Sequence, residues 1–478
     1  RKLNYQMNNT KIIGTIGPSS YDKSILRKMF ADGLNVVRIN FSHIDHEKAL
    51  QIYKWVQELN EEENRNVATL GDLQGPKLRI GDVKEGQTLI KGEKITITTE
   101  EDIGDASKIY ITYPDFPKDV EVGDKIMLDD GKLILKALNS NKKNKVEAVV
   151  IQGGELNSKK GVNLPNTKIS LPCLTAKDLD DLEFALEVGI EWIGLSFVRS
   201  VNDITELQNI ISKKKSPAKI VAKIEKPEAI QQIDAIIKKS DAVMVARGDL
   251  GVEVPMESVP NLQKMITRKC IKYSTPVIIA TQMMESMMKS LIPSRADVND
   301  VANAVHDRVD GVMLSGETSV GMYPVEVIRA MSKVLRSQEN YADLEMEEFL
   351  PVERNDGRYI SDTVCYNACK IAEQVDAKAV MTMTHSGYNA FKISSFRPPS
   401  KICIFTHNRK ILNTLSLLWG VRGYYYNKFE STDDTITDIK KIIKENKVVQ
   451  SGDMVVNIAS MPITNKGMTN MLKLSMIE

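Results

Sequence analysis

The sequence predicts an α/β fold: a (β/α)8 TIM barrel with a small inserted β-barrel domain and a C-terminal α/β domain. Three observations predict this fold. Short apolar runs alternate with longer segments of helical period, as they do in βα units. The alternation recurs eight times, which is the number of strands in a closed parallel barrel of this kind. Residues 80–171 break this rhythm with period-two alternation and turn pairs.

The eight apolar runs are the predicted barrel strands. Two of them, around 243–246 and 277–280, are apolar throughout, as strands covered on both faces are. Helical stretches are expected at residues 24–31, 47–60, 176–188 and 295–308. The predicted strands are residues 11–17, 35–40, 67–72, 191–197, 218–225, 242–248, 276–281 and 310–315.

The remaining segments predict two further domains. Residues 94–98 and 146–150 alternate with period two, as strands with one buried face do. An acidic stretch at residues 345–348 is expected to be a linker, and four more strand candidates follow it, at 379–384, 402–406, 421–425 and 454–459. We therefore expect barrel segments at 1–79 and 172–342, an inserted domain at 80–171 and a C-terminal domain at 343–478.

Charge and composition narrow the classes of function. Lys plus Arg (64) nearly cancels Asp plus Glu (63), so we expect no basic field for nucleic acid or an anionic membrane. The apolar runs are too short to span a bilayer, and residues 1–10 are too polar for a secretory signal. The five cysteines form an odd set without a CxxC pair, which favours a reducing compartment. We expect a cytoplasmic protein.

Polar side chains gather at the carboxyl ends of the predicted strands. Barrel enzymes place their chemistry there, so a ring of such residues predicts an active site. The ring contains Arg38, Asn40, Ser42, His43, Asp72, Ser196, Lys223, Glu225, Arg247, Asp249, Thr281, Gln282, Ser315 and Glu317.

Three members of this ring predict a metal site. Lys223 and Glu225 lie two residues apart on one strand, so both side chains can enter one cavity. Glu225 and Asp249, from neighbouring strands, can share one Mg²⁺, which takes one or two protein carboxylates. Lys223 could then stabilise negative charge on an oxygen, with Arg38 and Arg79 available for phosphate groups.

Other interpretations of these residues are structural. Lys223 and Glu225 could form a simple buried ion pair. Asp249 could be a helix N-cap before Leu250, which does not exclude metal binding. Thr281 and His43 are weak signals when each is taken alone. Only the joint arrangement of these residues is strong evidence for an active site.

Several long segments resemble pyruvate kinases. Residues 11–20 read KIIGTIGPSS and residues 37–43 read VRINFSH. Residues 223–228 read KIEKPE, residues 244–251 read MVARGDLG, residues 280–286 read ATQMMES and residues 313–318 read MLSGET. These motifs follow the order of the family, and the resemblance covers nearly the whole chain.

The resemblance implies a barrel, an inserted lid, a C-terminal effector domain and a homotetramer. It implies that Lys223 stabilises the enolate transition state and that Glu225 and Asp249 bind Mg²⁺ (or Mn²⁺). Thr281 is expected to order the water that donates the proton. The implied phosphoenolpyruvate site contains Arg38, Ser196, Lys223, Gly248, Asp249 and Thr281; the implied ADP/ATP site contains Asn40, His43, Arg79 and, on the lid, Lys160.

One departure from the common family pattern concerns K⁺. Many members read Asp-Thr-Lys-Gly-Pro-Glu after the third strand, whereas residues 72–77 here read DLQGPK. Leu73, Gln74 and Lys77 make the segment similar to the K⁺-independent branch. The ammonium of Lys77 could stand in for the mobile cation. We expect that K⁺ is not required, although Asn40, Ser42, Asp72 and the carbonyl of Leu73 could still bind an ion.

A second departure concerns regulation. The predicted effector loop consists of Thr384, His385, Ser386, Gly387, Tyr388 and Asn389. Its small residues before a helix suit an anion, yet His385 replaces the usual Lys. The final loop, residues 461–468, lacks the Gly-rich, Arg-bearing form of the family. A phosphorylated effector other than fructose 1,6-bisphosphate, or none, fits this pattern.

Two rival functions remain open from the sequence. A metal-dependent aldolase or lyase acting on pyruvate enolates would share Glu225 and Asp249 but would not need the lid with Lys160. A non-catalytic sensor of phosphometabolites would not need Lys223, Glu225, Asp249 and Thr281 together.

Overall fold

The first part of the chain supplies three barrel strands and two helices. In this computed structural model, the described residues are 8–165, 167–341, 357–428, 431–461 and 468–478. The Asp22 carboxylate caps the first helix by accepting from two backbone N–H groups, and Gly33 ends it with a left-handed φ of 117°. The elements are β1 (Lys11–Thr15), α1 (Lys23–Asp32), β2 (Leu34–Asn40), α2 (His46–Glu63) and β3 (Ala68–Asp72).

An inserted β domain follows β3. Its alternating side chains bury one face of each strand; Ile95, Ile97, Val146 and Ala148 enter its own apolar core. The elements are β4 (Thr88–Leu89), β5 (Lys94–Thr98), β6 (Lys108–Tyr110), α3 (Phe116–Asp119), β7 (Lys125–Leu128), β8 (Leu133–Ser140), β9 (Lys145–Gln152), β10 (Gly154–Glu155) and β11 (Val162–Asn163). They form a six-stranded sheet, β11-β7-β8-β9-β5-β6, and a two-stranded sheet of β10 and β4.

The chain then returns to complete the barrel. Three of the helices here begin at polar caps, Thr175, Ser200 and Ser294, each of which forms a capping box. The elements are α4 (Ala176–Val188), β12 (Trp192–Leu195), α5 (Val201–Lys213), β13 (Lys219–Ile224), α6 (Pro227–Gln231), α7 (Ile233–Lys239), β14 (Ala242–Ala246), α8 (Arg247–Glu253), α9 (Val259–Lys272), β15 (Val277–Ala280), α10 (Arg295–His306), β16 (Gly311–Leu314), α11 (Gly316–Ser319) and α12 (Pro324–Tyr341).

Eight parallel strands close into one barrel, as the sequence predicts. Each barrel strand pairs with its neighbour in the chain, and β16 pairs with β1 to close the ring. Val221, Met244, Ile278 and Met313 fill the interior, while a second apolar layer separates the strands from the outer helices. Burial on both faces explains why strands such as β14 and β15 are apolar throughout. Within the described ranges, no helix combines the length and apolarity needed to cross a bilayer.

The C-terminal part is a second α/β unit. Its elements are α13 (Tyr359–Gln374), β17 (Ala379–Met383), α14 (Tyr388–Ser395), β18 (Lys401–Thr406), α15 (Arg409–Leu415), β19 (Val421–Tyr425), α16 (Thr432–Glu445), β20 (Met454–Ala459) and β21 (Met471–Met476). The sheet order is β19-β18-β17-β20-β21. Strand β21, which runs antiparallel to β20 at the edge, was not predicted. The predicted linker at 345–348 lies outside the described residues.

This C-terminal unit covers the amino end of the barrel. Leu417 enters the barrel core, and the indole N–H of Trp192 donates to the carbonyl of Thr414 at 3.2 Å. The buried ammonium of Lys11 donates to the carbonyl of Val421 at 3.0 Å. The carboxyl end of the barrel, where the predicted site residues lie, faces the opposite way.

Candidate active site

A buried ion pair joins β2 to the end of β3. The guanidinium of Arg38 approaches Asp72 Oδ2 twice, at 2.8 Å from Nε and 2.6 Å from Nη2. Asp72 is 1% exposed. Burial alone would raise the pKa of this carboxyl, but the charges of Lys223 and Arg38 hold it below its usual value. Asp72 is therefore an anion that fixes two cations.

Lys223 is the centre of the site. Its Nζ lies 3.1 Å from Asp72 Oδ1 and 3.0 Å from Glu225 Oε1, and it donates to Ser196 Oγ at 2.7 Å. Burial disfavours its charge, but the two carboxylates outweigh burial and raise its pKa above the usual value. Lys223 therefore remains an ammonium, suited to stabilising negative charge.

Glu225 is held at its other oxygen by the backbone. The N–H of Phe197 donates to Glu225 Oε2 at 3.0 Å. Phe197 has a left-handed φ of 63°, an unusual conformation for an aromatic residue. Burial and the charge of Asp249 raise the pKa of Glu225, while Lys223 opposes this rise. A divalent cation between Glu225 and Asp249 would offset that repulsion, so these two residues fit a metal site.

Asp249 is not the N-cap that one interpretation of the sequence suggested. Helix α8 begins at Arg247, and Ala246 occupies the N-cap position without a side-chain cap. Asp249 lies in the first turn instead, exposed. A carboxylate there is favoured by the helix dipole and remains free for a cation.

Thr281 and Gly248 are in direct contact. The N–H of Gly248 donates to Thr281 Oγ1 at 2.7 Å, and Thr281 Oγ1 donates to the carbonyl of Ala280 at 2.6 Å. Thr281 has φ of 71°, a strained conformation for a β-branched residue. Arg247 donates to the carbonyl of Thr281 and so holds Thr281 in this conformation. Arg247 is itself paired with both oxygens of Asp300 at 2.7 Å.

The predicted monovalent-cation pocket contains a fixed ammonium. Lys77 Nζ donates to Ser42 Oγ at 3.3 Å. The Asn40 side chain accepts from the N–H of Ser42, and the carbonyl of Leu73 accepts from Ser196 Oγ at 2.7 Å. Lys77 is exposed as a residue, but desolvation of its ammonium, followed by the charges of Arg79 and Lys223, lowers its pKa.

The residues predicted for the nucleotide are spread over the barrel and the insertion. Desolvation lowers the pKa of the exposed His43, and the charges of Lys77, Arg38 and Arg79 add to this effect. Arg79 donates to the carbonyl of Lys159 at 2.8 Å. Lys160 forms an ion pair with Asp129 of the insertion at 3.1 Å. The structure thus brings Lys160 to an acidic partner in its own domain.

The predicted effector loop lies after β17. Within it, the N–H of Gly387 donates to Thr384 Oγ1 at 2.9 Å and the N–H of Tyr388 donates to Ser386 Oγ at 3.4 Å. Asn389 is held by Thr469, and His385 lies 5.7 Å from the ring of His407. Of the final loop at 461–468, residues 462–467 lie outside the described residues.

Another group of potential metal ligands lies on the outside of the barrel. His46, Asp180 and Asp181 bring ligand atoms within 4.8 Å of one another. Asp181 is already engaged by His46 at 2.8 Å and by Lys177 at 2.5 Å. A cation there would have to displace the Lys177 ammonium.

Sequence reasoning missed Phe197 and Asp300. Phe197 orients Glu225 through its backbone, for which the side chain gives no signal. Asp300 reaches Arg247 from α10, far along the chain. The fold and the strand-end site together define a barrel enzyme with a buried ammonium held between carboxylates.

Comparison with known proteins gives the family. The model of the pyruvate kinase barrel domain matches residues 7–328, and the model of the pyruvate kinase alpha/beta domain matches residues 362–475. The chain belongs to the pyruvate kinase family and is an enzyme of that family.

Two curated relatives are similar over almost their whole length. A pyruvate kinase of Corynebacterium efficiens is 39% identical over 469 residues, covering 98% of each chain. A pyruvate kinase of Clostridium acetobutylicum is 39% identical over 477 residues, covering 99% of this chain and 100% of the relative. The crystal structure of a pyruvate kinase from Cryptosporidium parvum has a TM-score of 0.92 at 32% identity and covers 100% of this chain and 98% of its own.

Proposed function

We propose that this chain transfers the phosphoryl group of phosphoenolpyruvate to ADP, giving pyruvate and ATP, with Mg²⁺ or Mn²⁺ and without a K⁺ requirement. The observation that carries the proposal is the position of Lys223, whose ammonium contacts Asp72, Glu225 and Ser196 in one buried site. The family implies phosphoenolpyruvate and ADP as substrates and the use of a divalent metal.

Each part of the phosphoenolpyruvate molecule has a suitable residue. Arg38, whose guanidinium is paired with Asp72, would bind the phosphate. Lys223 would stabilise the enolate oxygen that forms as the phosphoryl group leaves. The N-terminus of α8, with Gly248 and Asp249, and the adjoining Thr281 form the remaining wall, where the carboxylate would bind.

Glu225 and Asp249 would hold the divalent metal. When bound, the ion would supply positive charge that offsets the charge spreading over the phosphoryl oxygens. Ser196 orients Lys223 from the other side, because its hydroxyl accepts from Lys223 Nζ and donates to the carbonyl of Leu73. Lys223 therefore has a fixed position before substrate arrives, as preorganised catalysis requires.

Thr281 is proposed to orient the water that protonates the enolate. Its hydroxyl hydrogen is committed to the carbonyl of Ala280, and one lone pair accepts from Gly248. The other lone pair remains available to a water O–H. The left-handed backbone, supported by Arg247, presents this oxygen in a constant direction.

Lys77 is proposed to replace K⁺. Its ammonium is hydrogen-bonded to Ser42, and the charges of Asp249 and Asp72 act on it. A tethered cation there supplies charge without the entropy cost of capturing a free ion.

We further propose a cytoplasmic homotetramer whose nucleotide meets Asn40, His43, Arg79 and Lys160. The insertion would bring Lys160 to the phosphates on closure. A phosphorylated effector at the loop of Thr384 to Asn389 is part of the same proposal. The loop's small residues and left-handed Gly387 support it.

The test is ATP formation from phosphoenolpyruvate and ADP with Mg²⁺ in a buffer free of Na⁺ and K⁺. We expect full turnover in this buffer and little change in turnover when K⁺ is added. Turnover that appears only with K⁺ would contradict the proposed K⁺ independence and leave the proposed phosphoryl transfer intact. No turnover in either buffer would reject the phosphotransferase function.

A further inference from the structure

A cavity of about 480 Å³ lies between the amino end of the barrel and the C-terminal unit. The barrel contributes the turn at Gly189 and the segment around Ser216, and the C-terminal unit contributes Ser386, Phe391 and Ile411. Small-molecule sites favour such junctions between domains and commonly have volumes of about 300–1,000 Å³. The cavity is thus of a size and position suited to a small ligand.

The wall of the cavity is largely apolar. Ile190 and Leu415 are buried, and Phe391 and Ile411 stand beside them with part of their surface open to the cavity. Ile411 and Leu415 also pack on Gly387, so the neighbouring chain holds this wall in place. A flat ring or short hydrocarbon would bury apolar surface there.

The rim has an excess of positive charge, with four lysines and two glutamates. Lys214 and Lys219 already pair with Glu183 and Asp241. Within the described part of the chain, Lys215 and Lys410 form no ion pair, and both are exposed.

The two glutamates do not cancel this charge. Glu191 is buried, and its two carboxyl oxygens already accept hydrogen bonds from Thr69 and Asn413. Glu187 is exposed at the rim, where the four lysines outnumber the glutamates. Two cations without carboxylate partners therefore remain at the mouth of an apolar cavity.

We propose that this cavity binds a small organic anion with a flat apolar body and one phosphate, sulfonate or carboxylate group. The body would lie against Phe391 and Ile411, and the anionic group would meet Lys215 and Lys410. The cavity lies at the amino ends of β12 and β13, whereas Ser196 and Lys223 lie at their carboxyl ends. Its ligand would therefore bind together with the substrates rather than compete with them.

The test uses the fluorescent probe 1-anilinonaphthalene-8-sulfonate, an aromatic sulfonate, on the intact full-length protein. We expect saturable binding that neither ADP nor phosphoenolpyruvate displaces. Displacement by either substrate would place the probe in the active site and overturn the proposal. Absence of saturable binding would overturn it as well.

Two kinds of variant locate the probe. Lys215→Glu with Lys410→Glu reverses the unpaired charges and should weaken binding at least about tenfold, the scale of losing charge-assisted hydrogen bonds. Ser216→Trp should block the cavity while leaving those charges unchanged. The control, Lys28→Glu with Lys441→Glu, makes the same change in net charge on exposed helices and should bind normally. Equal binding by the control and both cavity variants would overturn the proposal.

Discussion

Lys223 Nζ lies 3.0 Å from Glu225 Oε1, and the same ammonium lies 3.1 Å from Asp72 Oδ1 on another strand. A buried ammonium between two carboxylates stays charged, which is the state needed to stabilise an enolate. The arrangement is costly as a device for stability alone, because three charges lose their hydration. The arrangement of Lys223 between two carboxylates is better explained by a role in catalysis than by a role in stability.

Lys223→Met should greatly reduce turnover while substrate binding persists. The variant loses a charge that acts mainly in the transition state, so kcat should fall by about 10³-fold. The dissociation constant of phosphoenolpyruvate should change much less. Steady-state kinetics and equilibrium binding measure the two effects, with Lys28→Met as the surface control. An equal loss of affinity and rate would assign Lys223 to positioning instead.

Lys77→Met should make the enzyme depend on K⁺. Without the ammonium beside Ser42, activity in K⁺-free buffer should fall about tenfold, as for loss of one charge-assisted contact. Added K⁺ should restore most of it, because Asn40, Ser42 and Asp72 keep their oxygens. The assay is turnover against K⁺ concentration, with Lys54→Met for comparison. A loss that K⁺ cannot restore contradicts the role given to Lys77.

Asn163→Ala should raise the KM for ADP about tenfold. Asn163 of the insertion donates to Glu253 Oε1 at 2.8 Å, and Glu253 is also paired with Lys226 at 2.7 Å. This contact ties the insertion, which carries Lys160, to the helix that carries Asp249. A hydrogen bond to a charged group contributes about 1.5–3 kcal/mol. Asn144→Ala, at a distant turn of the insertion, is the control; an unchanged KM for ADP in Asn163→Ala would refute the anchoring role.

Lys11 should make stability rise with pH above neutrality. Burial, followed by the charge of Arg422, lowers its pKa to about 7, whereas Glu339 and Asp310 oppose this shift. The unfolded chain binds this proton up to the ordinary lysine pKa, so raising the pH above 7 favours the folded state. The gain is at most about 1.4 kcal/mol per pH unit.

The comparison that isolates this effect is Lys11→Met, whose other titrating groups are unchanged. Urea unfolding between about pH 7 and about pH 9 should show a smaller rise in the free energy of unfolding for the variant than for the wild type. Parallel pH profiles would show that Lys11 does not titrate in this range.

Local pattern predicted the barrel because strands such as β14 and β15 are apolar throughout and the longer outer helices bury one apolar side. The sequence could predict the strand-end site residues because the carboxyl ends of parallel strands all lie at the same end of the barrel. The support from Asp300 to Arg247 and the orientation of Glu225 by the Phe197 amide arise only on folding. Strand β21 was missed because it is a partly exposed edge strand with a weak period-two signal.

We propose that Glu225 and Asp249 form the divalent-metal site beside Lys223. Binding of Mn²⁺, followed by electron paramagnetic resonance, tests it without requiring turnover. Glu225→Gln and Asp249→Asn should each weaken Mn²⁺ binding at least about tenfold, because each removes an anionic ligand. His46→Ala should leave that binding unchanged. Loss of binding in His46→Ala, with normal binding in the other two variants, would place the metal at His46 and not at Glu225 and Asp249.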